Sequence, residues 1–122
     1  MVKIDHFYIK VTDLDRAIIF YENLLNAKIS NREKDRWADF ANESKVYFGI
    51  YNSTIDKEGF KSGDNITLAL KTNELDKEHK RIVGLSPKFI SEIIVIEQPS
   101  LYRYFQFEDE WGNIWEVAEY NY

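Results

Sequence analysis

The sequence predicts an α+β fold made of two βαβββ units. One strand, one helix and three strands follow each other twice along the 122 residues, and a polar stretch separates the two copies. Segments 37–51 and 105–117 also share an aromatic residue, a polar turn and an alternating apolar strand when Phe40 is laid over Phe107. Since each helix can cover only one sheet face, the sheets should form an open concave cavity with the helices on the outer face.

The first unit is predicted to span residues 1–52 and to begin with an alternating strand at 2–11. Thr12 or Asp13 can cap a following helix that ends near Asn26. Strands are predicted at 27–31, 36–40 and 45–51, separated by polar turns. The helix positions predicted to be buried are Leu14, Ala17, Ile18, Tyr21, Leu24 and Leu25.

The second unit, residues 65–122, repeats this order after a polar linker at 53–64. A strand is predicted at 65–71, with Asn65 and Thr67 on its cavity face. A helix follows, with a Thr or Asn cap and a stop at Gly84. Strands at 91–97, 101–108 and 113–120 complete a single domain over residues 1–122. The helix positions predicted to be buried are Leu75, His79, Ile82 and Val83, and His79 is interpreted as structural.

Composition excludes several classes of function. The net charge of −5, without a lysine or arginine run, argues against nucleic acid or an anionic membrane surface as a partner. The absence of cysteine excludes disulfides and thiolate chemistry. No apolar run predicts a signal peptide or a membrane span, so a cytoplasmic location is expected. Aromatic residues make up 16% of the chain, which suggests that some of them line a pocket.

Alternation along the strands indicates which side chains face the cavity. His6 and Tyr8 share the cavity face of the first strand, whereas Phe7 and the alternate residues after it should lie under the helix. Glu116 shares the cavity face of the last strand, opposite Trp115. A histidine and a carboxylate that converge in a cavity can act as a catalytic acid/base pair, although structural roles for both remain the alternative.

The candidate ligand-binding residues all lie on the predicted cavity faces of the first and last strands. Trp37 and Trp111 are further candidates for stacking on a flat ligand. The ligand-binding set is His6, Tyr8, Tyr47, Gly49, Tyr51, Asn65, Thr67 and Glu116, with His6 and Glu116 as the candidate catalytic residues.

Two sequence motifs mark the ends of the repeat. The opening motif consists of His6, Val11, Asp13, Phe20 and Tyr21, and the closing motif consists of Phe107, Asp109, Gly112, Asn113 and Glu116. Together with the strand order, they make the chain resemble the vicinal oxygen chelate superfamily over nearly its whole length. That superfamily includes glyoxalase, bleomycin-resistance proteins, fosfomycin-resistance proteins and extradiol dioxygenases.

The resemblance implies four places for metal ligands, one on the first and one on the last strand of each unit. Here these places hold His6, Gly49, Asn65 and Glu116, with Phe48 as the alternative to Gly49. Only His6 and Glu116 are metal-binding types, so no cofactor is expected. If a divalent ion such as Ni, Zn, Mn or Fe does bind, His6 and Glu116 would be its ligands.

Three functions are consistent with this resemblance. The first is metal-free binding of a small organic molecule in the cavity, as in bleomycin-resistance proteins. The second is a metal-dependent, glyoxalase-like lyase or isomerase, which retention of His6 and Glu116 favours. The third is a dimerising regulatory module with a vestigial pocket. Whether the chain is an enzyme is left open, and a homodimer is expected because the superfamily commonly forms dimers.

Overall fold

A computed structural model describes residues 1–41, 46–63 and 65–120. The chain forms two compact units, Met1–Lys61 and Ser62–Tyr122. Neither helix nor strand occurs at positions 53–63, in agreement with the polar composition there. The first unit extends past residue 52 because Asp56 and Glu58 hydrogen-bond to Tyr51. Lys45, at the start of a predicted strand, and Asp64, at the end of the predicted linker, lie outside the described residues.

The first unit has the predicted βαβββ order. Its strand β1 runs parallel to β4, and β3 lies between β4 and β2 with antiparallel pairing on both sides. The sheet order is therefore β1-β4-β3-β2. The elements are β1 (His6–Val11), α1 (Leu14–Leu25), β2 (Asn31–Glu33), β3 (Trp37–Asp39) and β4 (Tyr47–Asn52).

The ends of α1 follow from its capping residues. The Asp13 side chain accepts a hydrogen bond from the backbone N–H of Arg16 at 3.1 Å, which satisfies one of the free amides of the first turn. Asn26 ends the helix in the left-handed conformation with φ 50°. The predicted apolar side is buried, except that Leu25 is half-buried.

The predicted strand at 27–31 is wrong. The chain at Ala27 still hydrogen-bonds to Glu22 through its backbone, and the N–H of Ile29 donates to the Glu22 carboxylate at 3.0 Å. These bonds hold the segment against the end of α1, so pairing with β3 starts only at Ser30, and β2 begins at Asn31. Local hydrogen bonding after the helix therefore overrides the weak apolar pattern.

The second unit repeats the order with one difference. The strand predicted at 91–97 is two short segments, β6 and β7, which both pair antiparallel with β8. The Ser91 hydroxyl accepts the Gln106 amide hydrogen, so a side chain interrupts the backbone ladder between them. The elements are β5 (Leu68–Lys71), α2 (Leu75–Val83), β6 (Phe89–Ile90), β7 (Ile94–Ile96), β8 (Tyr102–Glu108) and β9 (Ile114–Tyr120).

Helix α2 stops at Gly84 as predicted, but its N-cap and the burial of one residue differ from the prediction. Thr72 accepts a hydrogen bond from the backbone N–H of Glu74, but Glu74 itself is the N-cap and makes no side-chain cap. Val83 is 49% exposed rather than buried, because it lies in the last turn, beyond the buried Ile82. His79 is half-buried, and its Nε2 lies 2.8 Å from the carbonyl oxygen of Ser91. That contact supports a structural interpretation of His79.

Each unit has its own apolar core between helix and sheet. In the first unit Ile9 and Val11 are buried as predicted, but Phe7 is 48% exposed because β1 is the edge strand of its sheet. In the second unit Trp115 is buried and stacks on Phe107 with ring centroids 6.2 Å apart. No helix among the described residues is long and apolar enough to cross a membrane.

Candidate functional site

The sheet register confirms the internal repeat. Gly49 on β4 lies level with Tyr8 on β1 and Asp39 on β3. Glu116 on β9 lies level with Ala69 on β5 and Gln106 on β8. Gly49 and Glu116 therefore occupy the same place in the two copies, as the overlay of the sequence predicts.

The first sheet presents five aromatic rings on the side away from α1, which we call the aromatic face. His6 stacks on Tyr47 with centroids 4.9 Å apart and an interplanar angle of 12°. The indole of Trp37 meets the rings of His6 and Tyr8 edge-on, at 5.5 and 5.6 Å. The aromatic face consists of His6, Tyr8, Trp37, Tyr47 and Tyr51.

The indole of Trp37 fills the space above Gly49. A Cβ atom on residue 49 would overlap the Cη2 and Cζ2 atoms of this ring. The absence of a side chain at Gly49 is thus the condition for Trp37 to lie across β4. In this unit, an aromatic ring occupies the place where the resemblance expects a metal-binding side chain.

Asp39 holds this indole in position by a hydrogen bond to its Nε1 edge. Its carboxylate accepts the Nε1–H of Trp37 at 2.9 Å, the side-chain amide of Asn31 at 2.9 Å and the backbone N–H of Ala41 at 3.3 Å. The side chain is buried, with Asp39 only 5% exposed. The carboxylate therefore lies at the edge of the Trp37 indole, bound by neutral donors.

Tyr51 closes one end of the aromatic face through its hydroxyl group. The hydroxyl donates to Asp56 at 2.6 Å and approaches Glu58 at 3.2 Å, and these contacts raise the pKa of Tyr51. The hydrogen bond from Tyr51 lowers the pKa of Asp56, and Arg36 lowers it further. Lys10 lowers the pKa of Glu58, with a second contribution from Tyr51. The two cations near this end are thus paired with carboxylates.

A Tyr51→Phe variant is expected to lose stability at neutral pH but not in acid. Because Asp56 and Glu58 have lowered pKa values, their contribution is complete above their ordinary values of 3.8 and 4.5 and is lost as the pH falls below them. The melting temperatures of wild type and variant should therefore converge in acid. Thermal unfolding from neutral to acidic pH measures this, with Tyr8→Phe as the control whose difference from wild type should not vary with pH.

The ionisable groups at the other end of the aromatic face are His6 and Tyr47. The Nδ1 atom of His6 lies 2.6 Å from the Asp5 carboxylate, and since a carboxylate only accepts, Nδ1 carries the hydrogen. Desolvation raises the pKa of Tyr47, and the charges of Asp5 and Asp39 raise it further. The Tyr47 phenol therefore stays protonated at neutral pH.

Of the remaining predicted residues only Glu116 lies on the second sheet, because β5 begins at Leu68 and not at residue 65 as predicted. Glu116 is half-buried, and no hydrogen bond or ion pair joins it to another described residue. Thr67 lies two residues before Ala69, as His6 lies two before Tyr8, so Thr67 is the repeat equivalent of His6 by register. Asn65 lies a further two residues away and is exposed. The convergence of His6 and Glu116 in one site stays a prediction.

The side chains at the four expected ligand places do not match a metal cage. Gly49 offers no donor and lies under an indole, and Thr67 and Asn65 are neutral, weak ligands. Among residues 1–41, 46–63 and 65–120, no three His, Cys, Asp or Glu side chains come close enough together to hold a metal ion. Only His6 and Glu116 are suitable donor types, and a catalytic zinc usually needs three.

The family follows from the comparison of the whole sequence. The sequence model of the glyoxalase/bleomycin resistance protein/dioxygenase superfamily matches residues 3–117. The chain belongs to this superfamily. This result agrees with the βαβββ repeat and the two end motifs. No curated protein matches the sequence.

Solved structures share the superfamily fold at low sequence identity. A glyoxalase/bleomycin resistance protein/dioxygenase from Nocardioides has a TM-score of 0.75 and 21% identity, and the match covers 98% of this chain and 84% of that one. A lactoylglutathione lyase from Agrobacterium tumefaciens has a TM-score of 0.72 and 15% identity over 96% and 92% of the two chains. TioX from Micromonospora sp. ML1 has a TM-score of 0.65 and 15% identity over 98% and 99%.

Asp39 was missed by sequence reasoning, and Trp37 was predicted only as a general stacking candidate. Both lie on β3, and their relation to Gly49 depends on cross-strand register. A signal was available, because Trp37 and Asp39 alternate on the same face of one short strand.

Proposed function

We propose that this superfamily member binds a small organic molecule on the aromatic face without a metal ion. The observation that carries the proposal is the Trp37 indole over Gly49, which replaces a metal-binding side chain by a ring. Half-exposed aromatic rings supply contact area for an organic ligand. The Tyr47 hydroxyl is protonated, so it can donate a hydrogen bond to such a ligand.

Purified protein is expected to bind no divalent ion stoichiometrically. Native mass spectrometry after purification without added metal should show the bare chain or an organic adduct, and calorimetric titration with Ni²⁺, Zn²⁺ or Mn²⁺ should give no saturable binding. A Glu116→Gln variant is the matched control, because removal of this carboxylate should leave the titrations unchanged. Tight binding of one ion by the wild type, lost in Glu116→Gln, would contradict the proposal.

A second candidate is a metal-dependent lyase or isomerase, and one observation favours it. The Glu116 carboxylate is half-buried and has no partner among the described residues, so its oxygens are available to a metal ion or to a proton transfer. His6 is the other residue of a metal-binding type at the ligand places that the resemblance implies. The metal titrations above decide between the two candidates.

A further inference from the structure

We propose that the aromatic face selects a planar organic cation, and that the buried Asp39 carboxylate supplies this selectivity. The inference rests on the proposed function, since it names the class of ligand that the same face takes. It goes further in assigning a role to Asp39 and in predicting a ligand charge.

The rings of the aromatic face favour a flat, positively charged ligand. The ring centroids of His6, Tyr8 and Trp37 lie 5.5–5.8 Å from one another, and Tyr8 is 50% exposed. Ring faces carry negative quadrupole potential, so a cation stacked on them is attracted more strongly than a neutral ring of the same shape. The rings therefore supply contact area and favour a positively charged ligand over a neutral one.

Asp39 adds a fixed negative charge at the edge of the Trp37 ring. Its oxygens accept hydrogen bonds from Trp37, Asn31 and Ala41, all of which are neutral donors, and no ion pair joins it to another described residue. Because the side chain is buried, water screens its charge poorly. Lys10 and Arg36, by contrast, are paired with carboxylates. A ligand cation above Trp37 would balance the charge of Asp39.

The charged groups around the aromatic face also favour a positively charged ligand. Four carboxylates hydrogen-bond to side chains of this face, namely Asp5 to His6, Asp39 to Trp37, and Asp56 and Glu58 to Tyr51. Two cations are paired with them, Lys10 with Glu58 and Arg36 with Asp56. The sum over these contacting groups is two negative charges.

The test compares two rings of nearly equal shape, acridine and 9-aminoacridine, by calorimetric titration at mildly alkaline pH. The 9-amino compound is a cation there, because its amino group conjugates with the ring nitrogen, and acridine is neutral. The wild type is expected to bind 9-aminoacridine about tenfold more tightly. An Asp39→Asn variant should lose most of this preference, whereas Asp15→Asn, which removes the same charge from α1 on the opposite side of the sheet, should keep it.

A second variant guards against misfolding of Asp39→Asn. Asn31 lies on the exposed edge strand β2 and already donates to Asp39, so Asn31→Lys would place a cation beside the carboxylate without emptying a buried position. This variant should also bind the two rings with similar affinity. A preference that persists in both Asp39→Asn and Asn31→Lys would overturn the role of Asp39.

The remaining outcomes separate this inference from the proposed function. Equal binding of both rings by the wild type, lost in Trp37→Ala, would overturn charge selection and leave the aromatic face as a ligand site. Absence of binding by either ring would overturn the ligand class, while metal-free binding of another organic molecule would still be decided by native mass spectrometry of the purified protein.

Discussion

A Gly49→Glu variant is expected to unfold with a free energy about 1 to 3 kcal/mol lower than that of the wild type. The new side chain would begin inside the ring of Trp37, and this indole is fixed by its hydrogen bond to Asp39. The indole must leave its place or the strand must shift, and either change disrupts a close-packed sheet face. Urea denaturation followed by circular dichroism measures the difference.

The glycine at position 59 provides the matched control. A Cβ atom added to Gly59 meets no atom within 4 Å, so Gly59→Glu should change stability by no more than about 0.5 kcal/mol. If Gly49→Glu is as stable as Gly59→Glu, the indole does not depend on the missing side chain. That result would remove the observation on which the metal-free proposal rests.

Removal of the indole should restore the stability that is lost in Gly49→Glu. In the double variant Trp37→Ala with Gly49→Glu, the new carboxylate enters the space left by the ring, and the two changes should be strongly non-additive. The same double variant places a carboxylate on β4, level with Tyr8 and two residues from the partner of His6. Binding of Ni²⁺ that appears only in the double variant would show that Trp37 keeps the metal away.

The sequence was sufficient for the repeat because periodicity and capping act locally. Asp13 caps α1, and the apolar positions of α1 recur at helical spacing, so this element could be predicted with its end at Asn26. The vacancy at Gly49 was also readable from the overlay with Glu116. Each of these features depends on residues close in the chain or on a direct comparison of two segments.

The filling of that vacancy could not be predicted, because it depends on register between strands. Trp37 and Gly49 lie on neighbouring strands, and only the pairing of Asp39 with Gly49 places the indole over the glycine. Register likewise makes Thr67, rather than Asn65, the equivalent of His6. A shift of one residue in pairing reverses the face of a side chain, and the strand ends in this sequence are too weakly marked to fix it.

Asp109 and Gly112 of the closing motif form the turn that precedes β9. Asp109 is completely buried and lies in the turn between β8 and β9. Its carboxylate accepts the backbone N–H groups of Trp111 and Asn113 and the Asn113 side-chain amide, each at 2.9 Å. Gly112 completes the turn with a positive φ of 87°, a conformation that favours glycine. These contacts indicate that Asp109 is structural.

An Asp109→Ala variant is therefore expected to lose about 2 to 4 kcal/mol of unfolding free energy, because three donors lose their acceptor in a buried turn. Exposed Glu97, which has no hydrogen bond or ion pair with another described residue, gives the control, since Glu97→Ala should cost no more than about 0.5 kcal/mol. Urea denaturation of both variants measures the difference, and equal stabilities would contradict the structural role.

Strand β9 starts at Ile114, directly after Asn113, so this turn also sets the register that places Glu116 level with Gln106. The Asp and Gly-Asn of the closing motif thus position Glu116 through the backbone.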